Sequence, residues 1–184
     1  NSGVLNYVSI RHGGTNIGAG NEINGLTLGG VGNGTSISNI EVVGNQDDGI
    51  EWFGGNVNVT NALVWNVGDD GIDTDQGWKG TLDNFVVITV AGHSFELDGP
   101  EGSATGSFTL QNATIIGNMV TENGEYADYR SKAMGHTSNI FAYGFKASSD
   151  IELDNDGVAT NYNDGLLTFG TWEIVLPDGV TDFT

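Results

Sequence analysis

A period of 22 to 24 residues runs through the first half of the chain. Gly25-Leu26, Gly49-Ile50, Gly71-Ile72 and Ser94-Phe95 follow one another at steps of 24, 22 and 23. A second column, Asn39-Ile40, Asn61-Ala62 and Asn84-Phe85, keeps steps of 22 and 23. Asn112-Ala113 and Asn139-Ile140 extend it at 28 and 27, which leaves room for longer loops, and Asn6-Tyr7 is read as its start. Two columns sharing one period, filled with short runs rich in Val, Ile, Thr, Phe and Trp, describe stacked coils of short strands. No stretch carries the 3.6-residue pattern of an amphipathic helix. Thirty glycines against two prolines supply tight corners without interrupting strands. The frame of a leucine-rich repeat is missing. Because parallel crossovers are right-handed, the expected fold is all-β: a right-handed parallel β-helix (a β-solenoid) of about seven coils of roughly 22–28 residues. The asparagine column is read as a corner ladder, its amides bonding coil to coil. Residues 1–184 are read as a single β-helix domain, with 149–184 as the closing coils.

A net charge of −19, from 24 acids against 5 Lys plus Arg, argues against nucleic acid or an anionic membrane as partner. It suits cations or neutral ligands, and makes bound Ca²⁺ a reasonable expectation. Without cysteine the chain has no disulfide and no thiolate chemistry. No segment is long and apolar enough for a membrane span. The chain opens within a strand pattern, NSGVLNYVSI, and is read as a mature form or a domain processed from a longer secreted protein.

Stacking turns the period into neighbours. One column holds Asn24, Asp48, Asp70 and His93; another holds Thr27, Glu51, Asp73 and Glu96; a third holds Gly29, Phe53, Asp75 and Asp98. IELD, Ile151 to Asp154, repeats the same phase. Strand alternation points Ile50, Trp52, Ile72 and Phe95 into the core, and Glu51, Asp73, Glu96, Asp75 and Asp98 outward as an acidic strip. Three uses of the strip are open. The acids serve as turn caps and a soluble face. Alternatively Asp47, Asp48, Asp69, Asp70 and His93 hold Ca²⁺ or, given the histidine, a transition metal. As a third use, paired carboxylates act as acid and base on a glycosidic bond, with Asp70, Asp73, Asp75 and Lys79 as the catalytic candidates. Trp78 and Phe53, beside Glu51, Asp73, Glu96 and Asp98, are candidates for a sugar-stacking surface, and Trp52 is read as core.

The motifs NEINGLTLGGVGNGTSISNIEVVGNQDDGIEWFGGNVNV, DDGIDTDQGWKG, FELDGPEG, TLQNATIIGN and IELDN together resemble a family of secreted or outer-surface bacterial β-helix proteins. These are common in Bacteroidota and marine bacteria, often as lipoproteins or cargo of the gliding-associated secretion system. The resemblance covers nearly the whole chain and implies a fold similar to pectate lyases and polygalacturonases, without an established activity. It also implies a further N-terminal stretch of β-helix, whose absence would leave strand edges open to end-to-end association. The reading that follows is an extracellular or cell-surface, non-catalytic module, stabilised by Ca²⁺, that binds a polysaccharide or cell-surface glycan or assembles with copies of itself by end-to-end or face contacts. The alternatives are a carbohydrate-active enzyme, either a polysaccharide lyase or a glycoside hydrolase, and a structural subunit of fibres or rings.

Overall fold

The structure, a computed structural model, describes residues 3–18, 23–121 and 124–182. It is a right-handed parallel β-helix. One sheet stacks β1 (Val4–Arg11), β3 (Ser36–Val43), β5 (Val59–Trp65), β7 (Thr81–Ile88), β9 (Phe108–Ile116), β11 (Gly135–Tyr143) and β13 (Leu167–Phe169), with β14 (Trp172–Ile174) also on β11. The second stacks β2 (Leu26–Gly29), β4 (Ile50–Phe53), β6 (Ile72–Asp75), β8 (His93–Asp98), β10 (Glu125–Arg130) and β12 (Ile151–Leu153). All pairings are parallel, so each coil contributes one strand to each sheet.

The long strands bend once, at the asparagine column. Asn39, Asn61, Asn84, Asn112 and Asn139 all have φ between 54° and 60°, the left-handed region that asparagine tolerates. Their amides form the ladder: Asn39 donates to Asn6 Oδ1 at 2.8 Å, Asn61 to Asn39 at 3.0 Å, Asn84 to Asn61 at 2.6 Å and Asn139 to Asn112 at 2.7 Å. Asn112 donates instead to Asp83 Oδ1, at 2.6 Å. The start of the column is one residue later than the sequence pattern places it. Val8 pairs with Ile40, so Tyr7 (φ 55°) holds the left-handed position and Asn6 serves only as acceptor.

At the other corner the glycines of the two DDGI motifs are fixed by close approach. A Cβ on Gly49 would lie 2.4 Å from Val64 Cγ1 and 2.5 Å from the Gly71 carbonyl; one on Gly71 would meet Val87 Cγ1 at 2.6 Å. Inside the coils, Ile50, Ile72, Phe95 and Ala127 form one buried row, and Leu28, Trp52, Thr74, Leu97 and Tyr129 another.

The C-terminal region differs from a plain run of strands. Between β12 and β13 lies α1 (Asp156–Asn163), capped by Asn155, whose side chain accepts from the N–H groups of Gly157 and Val158. Two turns with Val158 as the single buried residue carry no amphipathic pattern, which is why the sequence shows no helix there.

The ladder carries a stability prediction. Asn61→Ala removes two amide bonds, about 0.5–1.5 kcal/mol each, and puts a Cβ-bearing residue without a compensating side chain at φ 59°. Urea unfolding should show a loss of about 2–3 kcal/mol, and Asn61→Gly, which accepts the backbone angle, a smaller one.

Candidate functional site

The acidic columns are side by side, as their spacing requires. Glu51 pairs in register with Asp73, Asp73 with Glu96 and Glu96 with Asp128; the next column runs Phe53, Asp75, Asp98 and Arg130. Asp128 pairs with Glu152, so the IELD phase holds. Asp128, Arg130 and Glu125 are members that the sequence columns skip. The step from Glu96 to Asp128 is 32 residues, outside the 22–28 range, because both connections of that coil are lengthened. The alternation in EYADYR is the signal that would have found them.

The strip faces away from the core, yet it is not a solvated face. Asp48, Glu51, Asp70, Asp73 and Asp128 are each at most 8% exposed, tiled against one another and the flanking corner. That corner is knitted by its own carboxylates: the Asp70 N–H donates to Asp48 Oδ1 at 3.0 Å, and the His93 N–H donates to Asp70 Oδ1. An aspartate before each DDGI glycine thus satisfies the backbone of the next coil.

Positive charge on this face sits in its C-terminal half. Arg130 reaches Glu96 at 2.7 Å, Asp98 at 3.3 Å and Asp128 at 3.9 Å. His93 Nδ1 lies 2.9 Å from Asp70 and 3.6 Å from Glu96, and its Nε2 is 3.7 Å from Glu125. Burial alone would lower the His93 pKa, but its bonds to Asp70 and Glu96 raise it to about 10, so it is a cation at neutral pH. Glu96 responds in the opposite sense: burial disfavours its charge, and His93 and Arg130 outweigh that, leaving its pKa lowered.

The N-terminal half has no such partner. Asp48, Glu51 and Asp73 bring ligand oxygens within 4.8 Å of one another, and none of the three forms an ion pair among the described residues. Burial first, then repulsion from neighbouring carboxylates, pushes Asp48 up to about 8, Glu51 to about 7 and Asp73 to about 11. Asp70, relieved in part by His93, rises only to about 6. Asp73 Oδ1 is buried with no hydrogen-bond partner, an acceptor that a cation would satisfy. Clustered hard oxygens with an orphaned acceptor among them fit Ca²⁺.

The structure divides the sequence-derived metal set. Asp47, Asp48 and Asp69 come within 4.8 Å of one another, whereas Asp70 and His93 group with Glu96. His93 lies there within ion-pair distance of both carboxylates. The proposed sugar platform needs correction at Trp78. That side chain is 1% exposed, stacks on Trp52 at 4.6 Å and donates its indole N–H to the Val57 carbonyl at 3.1 Å. It turns inward because the corner after β6 lets it fill the coil interior beside the core tryptophan. Phe53 is half-buried on the outer face. Lys79 is exposed on the following turn and makes no ion pair among the described residues.

Fold and site together define a pectate-lyase-like architecture with an acidic face on one sheet. The chain belongs to the pectate-lyase-like β-helix domain family, whose sequence pattern matches residues 1–181. No curated protein and no solved structure matches it.

The raised carboxylate pKa values give stability a definite pH dependence. A carboxyl whose pKa is higher folded than unfolded binds more protons in the native state, so its contribution is present at acid pH and lost as pH rises through the folded value. With chelator present, the melting temperature should fall steadily from about pH 5 to about pH 8, the span set by Asp70, Glu51 and Asp48.

Proposed function

We propose that the protein is a secreted or cell-surface, non-catalytic β-helix module that holds Ca²⁺ at Asp48, Glu51 and Asp73 and binds a glycan. One observation carries the metal half. The acidic face has its own cations, His93 and Arg130, at one end, and three buried carboxylates without one at the other. A bound dication would replace the protons these groups otherwise retain, and glycan hydroxyl or carboxylate oxygens would complete its coordination. A three-carboxylate site of this kind suits the high Ca²⁺ concentrations outside cells. The glycan half is supported by the family's likeness to pectate lyases and by a charge that disfavours nucleic acid.

Calorimetry with Ca²⁺ should show binding, and Ca²⁺ should raise the melting temperature and flatten its fall with pH. Asp73→Asn replaces a buried, protonated carboxyl with a neutral amide of the same shape that cannot ionise for a metal, so the metal-free variant should melt near or above the wild-type temperature while losing the response to Ca²⁺. Absence of binding heat and of any melting shift in the wild type would refute the metal site.

A second reading, an acid–base enzyme acting on polysaccharide, has its own support. Asp73, with a pKa of about 11, retains its proton at neutral pH while Glu96, one coil on, is ionised. A proton donor beside a carboxylate base is the pairing that glycosidic bond cleavage uses. New reducing ends or unsaturated products from a polysaccharide panel, lost on Glu96→Gln with the fold intact, would establish this reading over the first.

A further inference from the structure

The corner connections that lead from the long sheet to the acidic sheet form a groove of about 800 Å³; Asp47, Asp48, Asp69 and Asp70 belong to the same connections but are not among the residues that line it. Its shape follows from loop lengths. The corners after β3, β5 and β7 are short and nearly uniform, at 44–49, 66–71 and 89–92. The connections after β1 and β9 are longer, and they contribute His12 at one end, and Asn118 and Thr121 at the other. Short corners between longer ones make a trough across five coils, roughly 19 Å long at about 4.8 Å per coil.

Trp65 sits in the middle of this trough. It is 49% exposed, whereas Trp52 and Trp78 are at 0% and 1%. Asn66, next to it in the chain, and Gln46, from the preceding coil, also line the groove, exposed amides whose side chains make no hydrogen bond to another described residue. Asn118 is held in place by bonds to the Thr89 and Val90 carbonyls. Thr89 keeps a β-branched side chain at φ 49°, where the same column elsewhere uses His12, Gly44, Asn66 and Gly144; that strain is retained at a position lining the groove.

The electrostatics decide the ligand class. The chain has 24 acids, yet no carboxylate and no Lys or Arg lines the groove. A polyanion would be repelled by a net charge of −19 and find no cation there, and a polycation would be drawn to the acidic face instead. An aromatic face bordered by free amides and a hydroxyl matches an uncharged, hydroxyl-rich chain: the ring packs on C–H surfaces while the amides bond the hydroxyls. We infer that the Trp65 groove is a binding site for a neutral polysaccharide segment. The inference rests on the glycan-binding half of the proposed function and is independent of its metal half.

Affinity electrophoresis in gels containing hydroxyethylcellulose, galactomannan or laminarin, with polygalacturonate and alginate as anionic controls, tests it. Retardation by at least one neutral polymer is expected. It should persist in chelator and in Asp73→Asn, and weaken about tenfold or more in Trp65→Ala. Gln46→Ala and Asn66→Gly should weaken it less; Asn66→Gly leaves the left-handed backbone angle unstrained, so these variants keep the test alive should Trp65→Ala misfold. Absence of retardation by all three neutral polymers would overturn the inference. So would retardation that Trp65→Ala, Gln46→Ala and Asn66→Gly leave unchanged, or size-exclusion evidence that Trp65 mediates a dimer of this chain. Ca²⁺-dependent retardation by the anionic polymers alone would uphold the proposed function and discard this site.

Discussion

Register between coils is the constraint on which everything else here depends. Parallel strands hold one coil over the next only if equivalent residues remain opposite each other, and a slip of one residue would turn the acidic columns into the core and the isoleucines out to water. Two corners hold that register by different means. At one, asparagines at φ near 57° hydrogen-bond along the stack. At the other, glycines admit valine side chains so closely that a methyl group has no room, and aspartates take the backbone N–H groups of the coil beyond.

The aspartates also place negative charge where it is hard to hold. A carboxylate used to satisfy backbone donors at a corner is drawn out of water, and repetition sets several such groups side by side. In the C-terminal half this is relieved by His93 and Arg130, which convert the crowding into ion pairs. In the N-terminal half no described cation relieves it; hydrogen bonds from the Asp70 N–H to Asp48 and from the Asn24 amide to Glu51 offset it in part, and Asp73 is the extreme case. The structural role of the motif and its affinity for a cation are therefore two results of the same placement. Any change that loosens the corner would be expected to disturb both.

Much of this was legible from spacing. The asparagine ladder, the inward Ile–Trp alternation and the three acidic columns up to Glu96 and Asp98 all follow from a constant period and the two-residue repeat of a strand. Legibility ended where the period changed. Asp128 and Arg130 lie beyond a 32-residue step, so the cation that organises half of the face was not placed in it. Tyr7, rather than Asn6, occupies the left-handed position in the first coil because tyrosine gives no compositional sign of it. Trp78 looked like a surface ring because it follows a glycine turn; its burial depends on a vacancy beside Trp52 that local sequence does not reveal. How deeply the outward acids are buried was also hidden, since alternation states direction and not coverage.

The lengthened coil has a wider meaning. Between β8 and β10 the chain takes 32 residues for what other coils do in 22 to 24, yet β9 pairs with β7 and β11 without a break. Added length is confined to the corners and is invisible one coil away. Each corner can thus change its loops without retuning the others, and one molecule can present unrelated surfaces to different partners while its core is copied unchanged.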